Sequence, residues 1–228
     1  MKLSILIPAY NEEKTIKDVI DSVKKVNLGK IKKEIVVVDD GSKDNTAKIL
    51  KKIRGINLVI QKKNSGKGFA IRTAINHATG DFIAIQDADL EYNPEDYKDM
   101  IKPLIEKRAE IVYGCRFSKK PKHRYKLFLF GNKFLSLLAS ILYGSKVEDI
   151  ETCYKMMPRK IIESLNLKSN HFEIEPEITA KILKKKYKIL EVPISYKSRS
   201  FKEGKKITWK DGLIAIWILV KYRLIDYN

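Results

Sequence analysis

The chain has 228 residues, of which 44% are hydrophobic and 32% are charged, a balance that supports a packed core and excludes wholesale disorder. Its 46 Lys and Arg residues outnumber its 28 Asp and Glu residues, which gives a net charge of +18. Such an excess favours a polyanionic partner, whether nucleic acid, an anionic membrane surface or a phosphorylated substrate. The length suits one α/β domain.

Neither a secretory leader nor a membrane-spanning segment is predicted. Met1 leads directly into a strand-like run, and the longest apolar run, Leu213–Val220, is too short to span a bilayer. Cys115 and Cys153 belong to no metal-ligand motif, so we expect two reduced, buried thiols. We therefore expect a cytoplasmic protein, with peripheral attachment to the cytoplasmic face of the membrane as a further hypothesis.

Short apolar runs alternate with helical spacings through the first half. The predicted strands are apolar throughout, which is typical of a mostly parallel sheet that helices cover on both faces. This alternation indicates βαβ units and an α/β fold. The predicted strands are 3–8, 34–39, 57–61, 82–87 and 111–115, and the predicted helices are 15–26, 46–54, 68–78 and 94–107.

The second half is less regular. We expect residues 172–186 to open extended and to become helical after Pro176, because proline disfavours a helix interior. Residues 198–206 form a basic loop without apolar periodicity. The other predicted elements are one or two apolar helices over 125–143, a strand over 188–193 and a final helix over 209–226.

Acidic residues follow three of the predicted strands. They lie in Tyr10-Asn11-Glu12, in Asp39-Asp40 and in Asp87-Ala88-Asp89-Leu90-Glu91. In a doubly wound sheet, ligands bind at the carboxyl ends of the strands. Carboxylates gathered there would repel one another unless a cation lies between them, and a hard divalent cation holding a phosphate meets this need. The sequence therefore predicts a Mg²⁺ or Mn²⁺ site for a diphosphate.

Two common nucleotide motifs are missing. No GxGxxG follows the first strand and no GxxxxGK[ST] occurs, so dinucleotide-binding and P-loop sites are disfavoured. The glycines of Gly66-Lys67-Gly68 precede a helix, where Lys67 either meets an anion at the helix N-terminus or is solvated.

Seven segments together resemble the family 2 glycosyltransferases of the GT-A fold, in the dolichyl-phosphate mannosyltransferase and polyprenyl-phosphate glucosyltransferase branch. The resemblance covers about residues 3–212 and implies a three-layer α/β/α fold with a mostly parallel central sheet. It implies one domain over 1–212, with a nucleotide-sugar half (1–115) and an acceptor half (116–212). After it we expect an apolar helix over 213–228, which is a candidate for the membrane interface. The segments are SILIPAYNEEKTI, EIVVVDDGSKDNT, NSGKGFAIRTAI, GDFIAIQDADLEYNPED, YGCRF, FEIEPEITAKI and EVPISY.

The resemblance also implies a donor site. Asp87, Ala88 and Asp89 match the DxD that grips the sugar nucleotide and its metal, and Glu91 stands where relatives often carry a Gln metal ligand. The metal ligands implied are thus Asp87, Asp89 and Glu91. The other implied donor contacts are Pro8, Tyr10 and Glu12 in the nucleotide-binding turn, Val37, Asp39 and Asp40 at the base and ribose, and Arg199 and Lys205 in a loop that closes over the diphosphate.

The acceptor half leaves two chemistries open. Arg116 matches an arginine near donor phosphate and acceptor, and Asp149 matches an aspartate that relatives commonly carry. With a hydroxyl acceptor, Asp149 would be the general base. With a lipid phosphate, which is already anionic, cations are needed instead, and Asp149 would position them. The Gly-Phe that follows in relatives is replaced by Cys153-Tyr154.

These features predict a metal-dependent inverting glycosyltransferase that moves mannose or glucose from a donor of the GDP-mannose or UDP-glucose type to polyprenyl or dolichyl phosphate. A separate membrane-anchor protein is the expected partner. The alternative is the same chemistry on a soluble or glycan hydroxyl. A polyanion-binding protein is a distant alternative, and we expect no nucleic acid, because the acidic strand ends would stay unexplained and aromatic-basic RNA motifs are missing. A nucleotidyltransferase would need a Gly-rich loop with Arg and Lys after the first strand.

The two apolar helical segments, 125–143 and 209–227, carry aromatic residues and basic flanks. Such a composition is typical of interfacial helices, and each basic residue near an anionic surface contributes about 1 kcal/mol. Core packing against the sheet is the equally weighted alternative.

Overall fold

The computed structural model describes residues 1–117, 126–199 and 209–225, with side chains of the fifth helix described from residue 130 onward. Within these residues the chain forms seven strands in one sheet, in the order β3-β2-β1-β4-β6-β5-β7. All pairings are parallel except those of β6. The strands are β1 (Lys2–Ala9), β2 (Lys32–Asp39), β3 (Asn57–Ile60), β4 (Phe82–Ile85), β5 (Ile111–Cys115), β6 (Lys155–Pro158) and β7 (Ile189–Pro193).

Helices cover both faces of the sheet. The side chains on each face form a separate apolar cluster with the helices that cover that face. Helices α1 and α4 pack on one face, and α3, α7 and α8 on the other. This confirms the predicted three-layer α/β/α architecture. The helices are α1 (Ile16–Lys25), α2 (Thr46–Leu50), α3 (Lys67–His77), α4 (Tyr97–Ile105), α5 (Lys126–Tyr143), α6 (Arg159–Ser164), α7 (Ile174–Lys184) and α8 (Trp209–Leu224), with a 3₁₀ turn at Pro94–Asp96 before α4.

Strand β6 and helix α6 were not expected from the sequence. Strand β6 lies between β4 and β5 and runs antiparallel to both, with Met157 opposite Ile83 and Met156 opposite Val112. Its first residue, Lys155, is 1% exposed although lysine is rarely buried. A four-residue strand that starts with a charged side chain lacks the local pattern of a buried strand, so only the pairing partners reveal it.

The register of the parallel strands sets the location of the crevice. Ala9 lies beside Asp39, and Leu6 lies beside Ile85, so the chain leaves β1, β2 and β4 at one edge. The amino end of the antiparallel strand β6 reaches the same edge. Residues from both halves of the sequence therefore meet there, as expected for a doubly wound sheet.

A loop before α7 packs tightly on the N-terminus of α3. Gly66 has φ 100°, and a Cβ built there would lie 2.3 Å from the Asn170 carbonyl oxygen. The Phe69 amide donates to that same oxygen over 3.0 Å. Glycine is required at position 66 both for its conformation and for this close approach, which holds the two halves of the sheet edge together.

One side of helix α8 packs into the core of the same domain. A boundary at residue 212 would fall inside α8, whose Ile218 and Leu219 are core residues. The Tyr222 hydroxyl donates to Glu177 over 2.7 Å. Both free cysteines, Cys115 and Cys153, are buried, as expected. In the described part of the chain, no helix combines the length and the apolar composition needed to cross a bilayer.

Candidate active site

A crevice of about 660 Å³ opens at the carboxyl edge of the sheet. One part, the acidic part, is lined by acidic and basic side chains, and the other, the apolar part, is lined by apolar side chains of α5 and α8. Eleven of the residues predicted from the sequence line the crevice. Those that line it are Pro8, Tyr10, Glu12, Asp40, Lys67, Asp87, Ala88, Asp89, Glu91, Arg116 and Arg199.

Lys67 links the two halves of the chain in the floor of the crevice. Its Nζ lies 2.7 Å from Asp87 Oδ1 and 3.0 Å from Glu175 Oε1. Burial alone would lower the pKa of Lys67, yet Asp87 and Glu175 hold it well above its ordinary value. Lys67 is therefore a buried cation paired with two carboxylates, and neither role expected for it from the sequence describes this pairing.

Arg199 contacts three carboxylates that follow two different strands, Glu12 after β1 and Asp89 and Glu91 after β4. Its guanidinium lies 3.0 Å from Asp89 and 3.2 Å from Glu12, and its backbone amide donates to Glu91 over 2.6 Å. Burial, together with repulsion from Asp87 and Glu91, raises the pKa of Asp89 to about 7. Negative charge in this group therefore exceeds what Arg199 balances.

The predicted metal ligands do not form a preassembled set. Among the described residues, no group of three His, Cys, Asp or Glu side chains could hold a metal ion. Asp87 is turned to Lys67, while Asp89 and Glu91 contact Arg199, because each carboxylate pairs with the nearest buried cation. Their oxygen donors and excess negative charge nevertheless fit a hard divalent cation.

Arg116 and Asp149 form a bidentate ion pair beside the crevice. Arg116 Nε and Nη2 donate to Asp149 over 2.8 and 2.6 Å, and the Arg116 amide and Asn132 add two more hydrogen bonds. Burial alone would raise the pKa of Asp149, but Arg116 holds it below its ordinary value. Of the two roles left open by the sequence, this geometry favours positioning, because a general base needs a pKa near the operating pH.

The three nucleotide contacts predicted on or directly after strand β2 lie in different surroundings. Asp40 lines the crevice and accepts from the Ser65 and Gly66 amides over 2.9 and 2.7 Å. Asp39 is fully buried, and its Oδ1 has no hydrogen-bond partner within the described residues. Val37 is fully buried in the apolar cluster that packs against α1 and α4, and it is not among the residues that line the crevice. Its contact with the nucleotide stays a prediction.

The structure adds site residues that sequence reasoning missed. Glu175 lies between Lys67 and Lys155, and Glu151 lines the crevice two residues beyond Asp149. Tyr196 donates to Glu91 over 2.8 Å, and its ring lies 5.1 Å from the Arg116 guanidinium. The sequence signal for Glu175 was the presence of two glutamates in the otherwise apolar first turn of α7. Lys205 lies outside the described residues.

The family comparison matches residues 4–165 to the model described as "Glycosyl transferase family 2". A UDP-N-acetylglucosamine–dolichyl-phosphate N-acetylglucosaminyltransferase of Methanococcus voltae is 33% identical over 214 residues, which cover 83% of each chain. Glycosyltransferase AglJ of Haloferax volcanii is 30% identical over 197 residues, and this alignment spans 86% of the present chain and 63% of AglJ.

Solved structures of low sequence identity share the fold. Glucosyl-3-phosphoglycerate synthase from Mycobacterium tuberculosis superposes with a TM-score of 0.75 at 20% identity, over 100% of this chain and 81% of that one. TarS of S. aureus gives a TM-score of 0.66 at 19% identity, over 97% of this chain and 66% of that one. The architecture is the GT-A fold, and the matched motifs and relatives place this chain in glycosyltransferase family 2.

Proposed function

We propose that this glycosyltransferase moves a sugar from a nucleoside diphosphate sugar to a polyprenyl phosphate at a membrane surface. The observation that carries the proposal is the composition of the crevice. Its acidic part suits a metal-bound diphosphate, Arg116 suits a phosphate, and its apolar part continues onto an exposed apolar face. A polyprenyl phosphate combines an anionic head with an apolar chain in the same order.

The donor would lie over the acidic part. Asp87, Asp89 and Glu91 would hold Mg²⁺ or Mn²⁺, which when bound would neutralise charge on the departing diphosphate. Arg199 would turn from Asp89 to the diphosphate, since an arginine fork suits phosphate oxygens. Asp39 Oδ1, a buried acceptor without a partner, would accept an N–H of the nucleobase.

The acceptor phosphate would approach Arg116. Its guanidinium is oriented by Asp149 on one side and by the Tyr196 ring on the other. The pairing neutralises Asp149 and leaves a cationic edge on the crevice. A preorganised cation of this kind brings two anions together without reorganisation during transfer.

Helices α5 and α8 together present an apolar face beside the crevice. On α5, Phe130, Leu137 and Ile141 are 72%, 59% and 70% exposed. On α8, Leu213 and Trp217 are 57% and 63% exposed. Spacings of seven and four place these side chains along one side of each helix. Aromatic and aliphatic side chains in this arrangement, near the basic residues of α8, suit the interface of an anionic membrane.

The membrane proposal predicts that Trp217→Glu weakens vesicle binding at least about tenfold, because it replaces a large apolar contact by a charge. Co-sedimentation with phosphatidylcholine vesicles containing phosphatidylglycerol measures the loss. Ile60→Glu is the matched control, since Ile60 is also an exposed apolar residue, 42% exposed on edge strand β3. Equal binding of the two variants would contradict docking through α8.

The donor proposal predicts a metal-dependent thermal shift with one nucleotide. The panel contains UDP, GDP, UDP-N-acetylglucosamine, UDP-glucose and GDP-mannose, each with Mn²⁺, with Mg²⁺ or with EDTA. UDP-N-acetylglucosamine is the first sugar to test, because the M. voltae relative is named for it. A shift that requires metal is expected for one base, because ligands that bind only the native state raise its stability. No shift with any nucleotide would refute the donor site.

The acceptor is then tested by transfer. Labelled sugar from the binding donor should appear in a polyprenyl phosphate product that partitions into organic solvent. Transfer to a soluble alcohol, without transfer to the lipid phosphate, would refute the acceptor assignment and leave the donor site standing.

A further inference from the structure

We infer that Glu151 takes up the proton that the acceptor oxygen releases during transfer, an assignment that rests on the proposed transferase function. Glu151 is one of the residues that line the crevice, and it lies on the turn that joins α5 to β6. The hydrogen-bonded backbone of this turn and the unpaired oxygen of the Glu151 carboxylate support the assignment.

The backbone on both sides of Glu151 is held in place. The buried Lys155 Nζ donates to the Ile150 and Thr152 carbonyl oxygens, and it also contacts Glu175. The Ile150 amide donates to Ser136 over 3.2 Å. Because three hydrogen bonds with two side chains fix the neighbouring peptide groups, the backbone that carries Glu151 is preorganised.

The carboxylate itself is left without a partner at one oxygen. Glu151 Oε1 is buried and makes no hydrogen bond within the described residues. Buried polar atoms are nearly always paired, so an unpaired carboxylate oxygen in a residue that lines the crevice needs an explanation. An incoming acceptor O–H or P–OH would supply the missing donor.

Asp149, the base expected from the sequence, is occupied. Each of its oxygens already accepts hydrogen bonds from Arg116, and Asn132 donates to it as well. Its pairing with Arg116 stabilises the ionised form and weakens it as a proton acceptor. Glu151 is two residues further along the chain and has no such partner at Oε1.

Four charged groups surround Glu151. Lys155 from β6 and Arg116 after β5 favour its ionised form, while Glu175 from α7 and Asp149 in the same turn oppose it. Burial has the largest influence and raises the pKa of Glu151 to about 7. A carboxylate of this kind can take up a proton and release it again near neutral pH.

The step balances as follows for a phosphate acceptor. A phosphate monoester has a second pKa near about 6 in water, so part of the acceptor enters as a monoanion with one P–OH, and this is the form that has a proton to release. Its oxygen bonds to the anomeric carbon while the bond from that carbon to the donor phosphate oxygen breaks. The nucleoside diphosphate leaves with the electron pair, and the acceptor proton moves to Glu151 Oε1.

The test compares pH profiles of transfer for wild type and Glu151→Gln. In wild type, kcat should rise with pH through about 7 as Glu151 loses its proton. Glutamine keeps the shape but cannot accept a proton, so kcat should fall about a hundredfold and this limb should disappear. The KM for the donor should stay within twofold. Glu151→Asp should restore part of the rate together with the limb.

Glu148→Gln is the matched control, because Glu148 lies in the same turn with its side chain 48% exposed and paired with Lys146. It should keep the wild-type profile. Circular dichroism and the thermal shift with the donor verify that Glu151→Gln is folded and binds nucleotide. An unchanged acidic limb in Glu151→Gln would overturn the assignment.

The proposed acceptor and the proposed role of Glu151 can fail independently of each other. If wild type transfers sugar to an alcohol but not to polyprenyl phosphate, the proposed acceptor is wrong. Glu151 is then judged on the alcohol reaction, where the proton balance is the same. Loss of the limb there supports the assignment, and its persistence refutes it.

Discussion

Replacing Asp89 by Asn is expected to lower sugar transfer by about a hundredfold to a thousandfold, a range typical for loss of one preorganised electrostatic contact. Asp89 follows β4 in the centre of the acidic part and is proposed to bind the metal. The neutral amide is a much weaker ligand for a hard cation. Transfer assays and calorimetric titration of the nucleotide, with Mn²⁺ or EDTA, measure the effect.

The same substitution should not destabilise the fold. The raised pKa of Asp89 means that its ionised form is unfavourable in the native state, so stability falls as the pH rises through about 7. Asn removes that charge and its repulsion from Asp87 and Glu91, at the loss of one contact with Arg199. Asp21→Asn is the control, since Asp21 forms a half-exposed pair with Lys17 on α1. Wild-type transfer by Asp89→Asn would refute the metal assignment.

Replacing Arg116 by Lys should lower both transfer and stability. Lysine keeps the charge but cannot bind both oxygens of Asp149 at once, and it cannot stack on Tyr196 in the same way. Since Asp149 is fully buried, its unsatisfied oxygens should cost about 1–3 kcal/mol in the free energy of unfolding. We expect transfer to fall about a hundredfold, because the proposed phosphate contact moves as well. Urea denaturation and acceptor kinetics measure the two losses.

The control for Arg116→Lys is Arg108→Lys. Arg108 pairs with Glu106 at the surface, where both side chains are more than half exposed, so its replacement should change stability by less than about 1 kcal/mol. A double-mutant cycle with Asp149→Asn isolates the pair energy. Additive effects in that cycle, or wild-type acceptor kinetics in Arg116→Lys, would contradict the positioning role of Asp149.

Periodicity predicted much of the fold, because most elements carry a local pattern. Strands β1 to β5 and the helices between them lie within a few residues of their expected bounds. Helix α7 differs: it begins at Ile174, before Pro176, although we expected extended chain there. Proline is tolerated in the first helical turn, where its missing N–H would have no intrahelical partner. The sequence pattern does not distinguish this position from a helix break.

The candidate site was predictable where its residues end predicted strands. Glu12, Asp40 and Asp89 line the crevice because parallel strands deliver their carboxyl ends to one edge. Glu151 and Lys155 could not be foreseen in the same way, because their roles depend on partners distant in sequence. Lys155 is buried through Glu175, and that contact exists only once α7 packs on the sheet.

The antiparallel strand β6 has a consequence for synthesis on the ribosome. Because β6 lies between β4 and β5, strand β5 has no neighbour in the sheet until residues 155–158 have emerged. At about 5–20 residues per second, the forty or so residues after β5 take about 2–8 s to be made. During that interval Ile111–Cys115, a strand buried in the finished fold, has both edges unpaired. This segment therefore stays open to association with other chains until β6 pairs with it.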